Sequence, residues 1–313
     1  MLTYTSMKIL VTGAAGFIGS HSAKALLARG DTVYGIDNFN DYYEVEQKEK
    51  NAENLNVFRV DICDEAAIDK IFAELQPDVL LHLAARAGVR ASIADPVLYH
   101  NVNVLGTNIL LDACRKHGVG RIVSASSSSV YGNQKKTPFS ETDETENPIS
   151  PYAATKRAGE SLAYAYSKMY GLQITCLRFF TVYGPSGRPD MAPLMFTKAI
   201  DAGETIKRFG DGTSMRDYTF IDDIVSGIVS AIDHPFNFEI INLGNNKPEE
   251  LRVLISTIEK NLGKSAKIEE LPMQPGDVEM TYADITKAQK LLGYNPQTTL
   301  EQGIEKLVNW YKK

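Results

Sequence analysis

The sequence predicts an α/β fold: a Rossmann-type doubly wound parallel sheet with a smaller C-terminal α/β lobe. Three observations carry this. Short β-branched runs alternate with helical patterns as far as Phe180. A strand, glycine turn and helix start, Lys8-Ile-Leu-Val-Thr-Gly13-Ala-Ala-Gly16-Phe-Ile-Gly19, opens the series. The alternation then gives way to turn-rich sequence, Tyr183-Gly-Pro-Ser-Gly-Arg-Pro-Asp190. Repeated strand–helix units imply a parallel sheet covered on both faces.

The strands are read at Lys8–Val11, Thr32–Ile36, Val57–Val60, Val79–Leu83, Arg121–Ala125 and Gln173–Phe179. Helical patterns fall at Phe17–Arg29, Ala66–Leu75, Asn103–Lys116 and Tyr152–Tyr170. Gly30, Gly118 and Gly171 lie just past three of them, where a left-handed residue ends a helix. Beyond Phe180 a helix is expected at about Pro193–Ala202, then a hairpin-like stretch through Phe209-Gly-Asp-Gly212. An α/β stretch follows (Tyr218–Ile232, then Glu239–Leu243), and helices at Glu249–Leu262, Thr286–Leu292 and Leu300–Tyr311. The first domain is placed at 7–181, with the chain returning to it at about 217–245. The second lobe is placed at 182–216 and 246–313.

The 313 residues carry a net charge of −6. An acidic chain has no global electrostatic attraction for nucleic acid or anionic lipid, so any phosphate must be held locally by arginines and backbone N–H groups. No run approaches the ~18 apolar residues of a membrane helix. Cys63, Cys114 and Cys176 are odd in number and lack metal-ligand spacing. A cytoplasmic protein without a metal is expected, with Cys114 and Cys176 in the core.

Gly13, Gly16 and Gly19 allow a tight turn and close approach of a pyrophosphate to a helix N-terminus. Asp37 ends the second strand, 18 residues after Gly19. A carboxylate there accepts hydrogen bonds from adenosine ribose hydroxyls and repels a 2′-phosphate, which favours NAD over NADP. The GxxGxxG spacing resembles the extended short-chain dehydrogenase/reductase family. Further matches follow in order: Asp61-Ile62, His82-Leu83-Ala84-Ala85, and Asn103 ahead of Gly106-Thr107. The resemblance implies cofactor contacts at Gly13, Gly16, Phe17, Ile18, Gly19, Asp37, Asn38, Asp61, Ile62, Leu83, Ala84, Ala85, Asn103 and Lys156. Taken singly, Asp61 also reads as a helix cap and His82 as a packed strand residue.

Tyr-x-x-x-Lys, the catalytic pair of that family, occurs four times: Tyr4/Lys8, Tyr131/Lys135, Tyr152/Lys156 and Tyr164/Lys168. Position decides between them. Tyr4 precedes the first strand, and a turn follows Tyr131. Tyr152 starts a helix behind Ser150-Pro151, with Lys156 on the same face. Tyr164 lies ~18 Å further along that helix, away from the strand ends where α/β sheets bind ligands. Phenol has a pKa of about 10, too high for a base at neutral pH. An ammonium and a positive nicotinamide nearby favour the phenolate. Ser127, in Ser126-Ser-Ser-Ser129-Val-Tyr131, is the third member by the family pattern. Such a turn also reads as a solvated loop.

The two residues before Val130 discriminate reactions. Similar sugar-nucleotide 4,6-dehydratases carry Asp-Glu there, and UDP-glucuronate decarboxylases carry Glu at the second position. Here they are Ser128 and Ser129, which leaves oxidation and re-reduction, as in a 4-epimerase. Gly210-Asp-Gly-Thr-Ser-Met-Arg216-Asp-Tyr and Met273-Gln-Pro-Gly-Asp277 resemble UDP-sugar epimerases. Arg216 would meet the pyrophosphate, Lys207 and Phe209 the uracil, and Asp277 the substrate. Thr181 and Gln274 differ from the Asn and Arg of UDP-galactose 4-epimerases. Leu177–Met191 and Ile36–Tyr43 are instead similar to UDP-glucuronate 4-epimerases. Arg188 suits a uronate carboxylate, with Thr181, Ser128 and Ser129 as hydroxyl donors; it also reads as a solvated loop charge.

The leading expectation is therefore NAD-dependent C4 epimerisation of a UDP-sugar, UDP-glucuronate to UDP-galacturonate, with Tyr152 as base. Alternatives are a 4-epimerase of neutral or N-acetylated UDP-hexoses, a net oxidoreductase releasing NADH, and a non-catalytic NAD-binding regulator. Intact Tyr152 and Lys156 argue against the last. The family suggests a homodimer through the Asn103–Lys116 and Tyr152–Tyr170 helices.

Overall fold

The computed structural model describes residues 5–272 and 279–313. In its first unit β1 (Lys8–Thr12), β2 (Thr32–Asp37), β3 (Asn56–Arg59), β4 (Val79–His82), β5 (Arg121–Ser127) and β6 (Gln173–Phe179) alternate with helices. These are α1 (Phe17–Arg29), α2 (Val45–Ala52), α3 (Glu65–Leu75), α4 (Val89–Ala94), α5 (Pro96–His100), α6 (Thr107–His117) and α7 (Pro151–Tyr170). The sheet order is β3-β2-β1-β4-β5-β6, followed by the strand Phe238–Leu243. β1 pairs in parallel with β2 and β4. Strand order reverses between β1 and β4, the switch point where open α/β sheets hold ligands.

Parallel strands buried on both faces read as apolar runs. Ile9, Leu10 and Val11 of β1 and Val79, Leu80 and Leu81 of β4 are fully buried. One core cluster joins Leu10, Leu80, Ile122 and Ile174 to Phe72 of α3 and Leu110 and Cys114 of α6. Each large aliphatic side chain buried this way contributes roughly 1.5–3 kcal/mol. Cys176 is buried in the same cluster. No described helix is long and apolar enough to cross a membrane.

Five differences from the sequence reading stand out. The helix expected from Asn103 begins as a wide π-turn, Asn101–Gly106. The short helices α2, α4 and α5 were not foreseen. The segment 133–143 belongs to the second unit, because Phe139 exchanges backbone hydrogen bonds with Tyr282 and Asp284. The stretch returning to the first unit is Val225–Ile241, narrower than 217–245. Finally, no hairpin forms through Gly210-Asp-Gly212. The strand Thr205–Phe209 pairs in parallel with the distant Lys267–Leu271.

The second unit comprises Asn133–Asp143, Phe179–Ile224 and the chain from Asn242 onward. Thr181–Tyr183 pairs in parallel with Tyr218–Phe220. Met215–Arg216 pairs with Glu249–Glu250 and with Met280–Thr281. Asp217 ties these pieces together. Its fully buried carboxylate accepts from the N–H groups of Asn245 (2.6 Å), Ala283 (3.0 Å) and Asn246 (3.1 Å) and from the Thr219 hydroxyl (2.9 Å).

Candidate active site

The glycine loop closes on the ends of β1 and β4. Gly13 has φ of +71°, and a Cβ there would lie 2.9 Å from the Ala84 backbone. A Cβ on Gly19 would lie 2.0 Å from the Gly13 carbonyl oxygen. Neither position tolerates a side chain. No side chain caps α1, whose N-cap is Gly16. Its first N–H groups therefore suit an anion. Phe17 is buried and Ile18 half-buried at the helix start.

Asp37 is buried, accepting from Ala15 N–H (3.1 Å) on one oxygen and Phe39 N–H (2.9 Å) on the other. A carboxylate has about four acceptor positions, so it retains capacity for a ribose diol. Asn38 donates to Asp61 at 2.7 Å, and Cys63 N–H donates to the other Asp61 oxygen at 2.8 Å. Burial opposes ionisation of Asp61, but these donors outweigh it and hold the carboxyl below its usual value. The cap of α3 is Asp64, not Asp61. Ile62 is buried beside Gly106. These residues fit an adenine dinucleotide.

His82 is fixed as a neutral ring. The Thr107 hydroxyl gives its one proton to the Asn103 carbonyl (2.7 Å), so it accepts from His82 Nε2–H (2.9 Å). Nδ1 then accepts from the Thr12 hydroxyl (2.8 Å), which in turn accepts from Ala84 N–H (3.2 Å). Burial and the Lys156 charge push the imidazole pKa down to about 3. The packed-strand reading of His82 holds, and its ring orders the Leu83-Ala84-Ala85 turn.

α7 starts as its sequence implies. The Ser150 hydroxyl accepts from Ala153 N–H at 3.1 Å, and Pro151 occupies the first turn. Tyr152 is 9% exposed, and its ring meets the edge of Tyr99 at 6.2 Å between centroids. Asn103 laces this helix to the β4 turn. Its amide accepts from Arg86 N–H (2.8 Å) and donates to Arg86 O (2.9 Å) and the Thr155 hydroxyl (3.0 Å). Lys156 donates to the Ala125 carbonyl at 2.8 Å. Desolvation of its ammonium pushes the pKa down to about 8, against the pull of Cys176 and Glu160.

Ser127 is buried and caps the turn Ser128–Tyr131. Its oxygen accepts from Ser129 N–H and its proton goes to the Ser129 hydroxyl, both at 3.2 Å. The serine turn is thus an ordered cap and not a solvated loop. Of the rival pairs, Tyr164 is half exposed, with the Lys168 ammonium over its ring. Tyr131 is buried beneath the Arg178 guanidinium, 4.7 Å from the ring centroid. Tyr4 and Asp277 lie outside the described residues.

In the second unit Thr181 N–H donates at 3.1 Å to the carbonyl of Asp217, the residue after Arg216. Arg216 donates to Met215 O at 2.9 Å. Lys207 and Phe209 stand opposite Glu269 and Leu271 on a separate two-stranded sheet. Arg188 forks onto Asp190, with Nε donating at 3.0 Å and Nη2 to the second oxygen. Its planar fork is therefore presented to a carboxylate already, though one of its own chain.

Several buried charges escape the sequence reading, Glu160 and Arg178 among them. These two are each 2% exposed. The signal was present: a lone arginine within an apolar strand demands a partner. Glu160 lies one turn beyond Lys156.

Comparisons with known proteins identify the family and the fold. The model of the "NAD dependent epimerase/dehydratase family" matches residues 9–244. A UDP-glucuronate 4-epimerase of Thermodesulfobacterium geofontis is 45% identical over 311 residues, covering 97% of this chain and 96% of the relative. The crystal structure of a UDP-glucuronic acid 4-epimerase from Bacillus cereus, in complex with UDP-glucuronic acid and NAD, superposes with a TM-score of 0.91. It is 40% identical, with 98% of this chain and 99% of that one covered. A UDP-glucose 4-epimerase of Thermotoga maritima with UDP-glucose also reaches 0.91, at 33% identity and the same coverage. The glycine loop and the helix carrying Tyr152 and Lys156 lie within the matched residues, and the chain belongs to the NAD dependent epimerase/dehydratase family, whose members are NAD-dependent enzymes.

Proposed function

We propose that this protein is a UDP-sugar 4-epimerase that converts UDP-glucuronate to UDP-galacturonate. The observation that carries the chemistry is the end of β5. Tyr152, Lys156 and Ser127 come with an ordered serine turn, and the buried carboxylate closest along α7, Glu160, is committed to Arg178. Among the described residues the serine turn carries no acid for water elimination or decarboxylation, which favours reversal at C4. NAD, held by the glycine loop, Asp37, Asn38, Asp61 and Ile62, supplies a reversible two-electron acceptor at C4.

Tyr152 takes the C4 hydroxyl proton as C4 gives up its hydride, and returns it to the same oxygen once the keto sugar has turned over so that hydride comes back to the other face of C4. Lys156, its ammonium desolvated, favours the phenolate. Ser127 holds the reacting oxygen. Ser128, Ser129 and Thr181 offer hydroxyls to the C6 carboxylate, and Arg188 offers its fork. Arg216, Lys207, Phe209 and Asp277 are assigned to the nucleotide. The first unit is the cofactor domain and the second the sugar-nucleotide lobe. A cytoplasmic homodimer through α6 and α7 completes the reading, supported by exposed Tyr164, Met169 and Tyr170 on α7.

The uronate rests on two relatives named for it; Arg188, the cation assigned to its carboxylate, would have to exchange Asp190 for it. Oxidising C4 of a glucuronate makes a β-keto acid, which loses CO₂ unless its carboxylate is held out of line with the ketone. Arg188→Ala should lose at least about tenfold more activity on UDP-glucuronate than on UDP-glucose, because a charged hydrogen bond contributes ~1.5–3 kcal/mol. Some UDP-pentose should also form. Product analysis by NMR, with no added NAD, measures both. A second reading, a neutral-hexose epimerase, is favoured by the closed Arg188–Asp190 pair. Wild-type turnover of UDP-glucose alone would select it, whereas equal losses on the two sugars would mean that Arg188 serves the nucleotide or the fold. Accumulating reduced cofactor would select the net oxidoreductase.

Asp37 also holds Ala15 and Phe39, so Asp37→Asn is a gentler test than alanine. NAD binding should weaken by roughly tenfold, since a charged acceptor of ribose hydroxyls becomes a neutral one, and discrimination against NADP should shrink. Calorimetric titration with both cofactors checks this. A wild-type preference for NADP would refute the role given to Asp37.

A further inference from the structure

The serine turn is held from beneath at three successive points. Ala125 O accepts from Lys156 at 2.8 Å. The Ser126 hydroxyl donates to Glu160 Oε1 at 2.6 Å. The Tyr131 ring lies under the Arg178 guanidinium. Glu160 and Arg178 are themselves joined by two hydrogen bonds, Nε to Oε1 at 2.8 Å and Nη2 to Oε2 at 2.9 Å. Ser127, Ser128, Ser129 and Val130 are the residues between these anchors. On α7, Tyr152, Lys156 and Glu160 recur every four residues, so one helix face carries the proposed base, its cation and the anchor.

A buried ion pair is a poor device for stability. Apolar side chains of similar volume are often as good or better, because two charges must be desolvated. What such a pair can supply is a fixed geometry: a two-point carboxylate–guanidinium contact sets both distance and orientation. Here that geometry links α7, β6 and both ends of the turn. We propose that Glu160 and Arg178 are positioning residues, which set the serine turn against the Tyr152 face of α7 so that Ser127 and Tyr152 address one sugar oxygen. This rests on the reading of Tyr152 as base.

The inference separates position from fold. Ser126→Ala cuts one anchor and leaves the ion pair whole. Glu160→Gln with Arg178→Met removes the pair without stranding a buried charge, and glutamine still accepts from Ser126. In the holoenzyme, both variants should lower kcat by about tenfold, because sub-ångström misplacement of reacting groups is costly. KM should stay within about twofold, and Tm within about 3 °C. Amide exchange should quicken at Ser127–Tyr131 and not at the centre of β6. In the double variant the alkaline limb of kcat should also move to lower pH. Among the groups facing Lys156, Glu160 favours its charged form, while His82 and the Cys176 thiol, whose pKa burial raises, are neutral, so losing Glu160 makes the ammonium easier to deprotonate. Wild-type kcat in either variant overturns the proposal, as does activity lost only in proportion to the unfolded fraction. The exchange readout needs no substrate. Were the wild-type enzyme inactive on every UDP-sugar, the functional reading would fail, and unchanged exchange at the turn would separately end this one.

Discussion

Tyr152→Phe is expected to abolish turnover and to leave cofactor and UDP-sugar binding close to wild type. The substitution removes one oxygen and keeps the ring, so the edge contact with Tyr99 survives. A positioned acid–base group contributes roughly 10²–10⁴-fold. With the proton of the C4 hydroxyl left without an acceptor, the upper part of that range applies. Tyr164→Phe is the control, because Tyr164 is half exposed and packs on Phe238 with its ring centroid 5.1 Å away. It should remain fully active. Turnover by NMR and binding by calorimetry together decide. A Tyr152→Phe enzyme that works at near-wild-type rate would remove the tyrosine from its proposed role. One that fails to bind the sugar nucleotide would make it a binding residue.

What could be read from the sequence follows the physics of burial. A strand buried on both faces writes itself as Ile9-Leu-Val11 or Val79-Leu-Leu81, and a helix that must stop beside a sheet writes Gly30 or Gly171. Ser150-Pro151 announced the start of α7 and so placed Tyr152 in a first helical turn, as observed; preferring it over the other three tyrosine–lysine pairs also drew on the strand-end rule. Elements that bury little left no such record. α2 (Val45-Glu-Gln-Lys-Glu-Lys-Asn-Ala52) is mostly polar and is tied to its neighbours by polar contacts, Asn51 to Ala15 O and Arg59 to Glu49, that leave no apolar period. Thr205–Phe209 pairs with Lys267–Leu271, four of whose five residues are exposed, so neither periodicity nor turn chemistry announces the partner. The Gly210-Asp-Gly212 turn then suggested a hairpin that long-range pairing overrode. At the site, residue types were legible and partners were not. Arg188 was visible as a cation, but its fork onto Asp190 is a matter of side-chain geometry.

Lys156→Met should produce two opposite changes in one protein. Activity should fall by on the order of 10²-fold or more, since the phenolate of Tyr152 loses its nearby charge. Stability, compared in cofactor-free proteins, should rise at neutral pH. Burial holds the folded-state pKa of Lys156 at about 8, below its ordinary 10.5. Between those two values the unfolded chain binds the proton more tightly than the folded one, so wild-type stability from this group increases as pH rises. Below about pH 8 the folded protein carries the full cost of a desolvated ammonium, ~1–3 kcal/mol after allowance for the surface that stays accessible. Methionine has no such cost and fills a similar volume. The variant's advantage in urea denaturation should therefore be largest near pH 7 and should shrink toward pH 10. A variant less stable than wild type at pH 7 would show that the bond from Lys156 to Ala125 O outweighs desolvation. An advantage that does not change with pH would mean that packing, not charge, governs this site. In the wild-type enzyme the same low pKa should appear as a decline of kcat/KM above about pH 8, where the ammonium is lost, and that limb should be missing from whatever activity Lys156→Met retains.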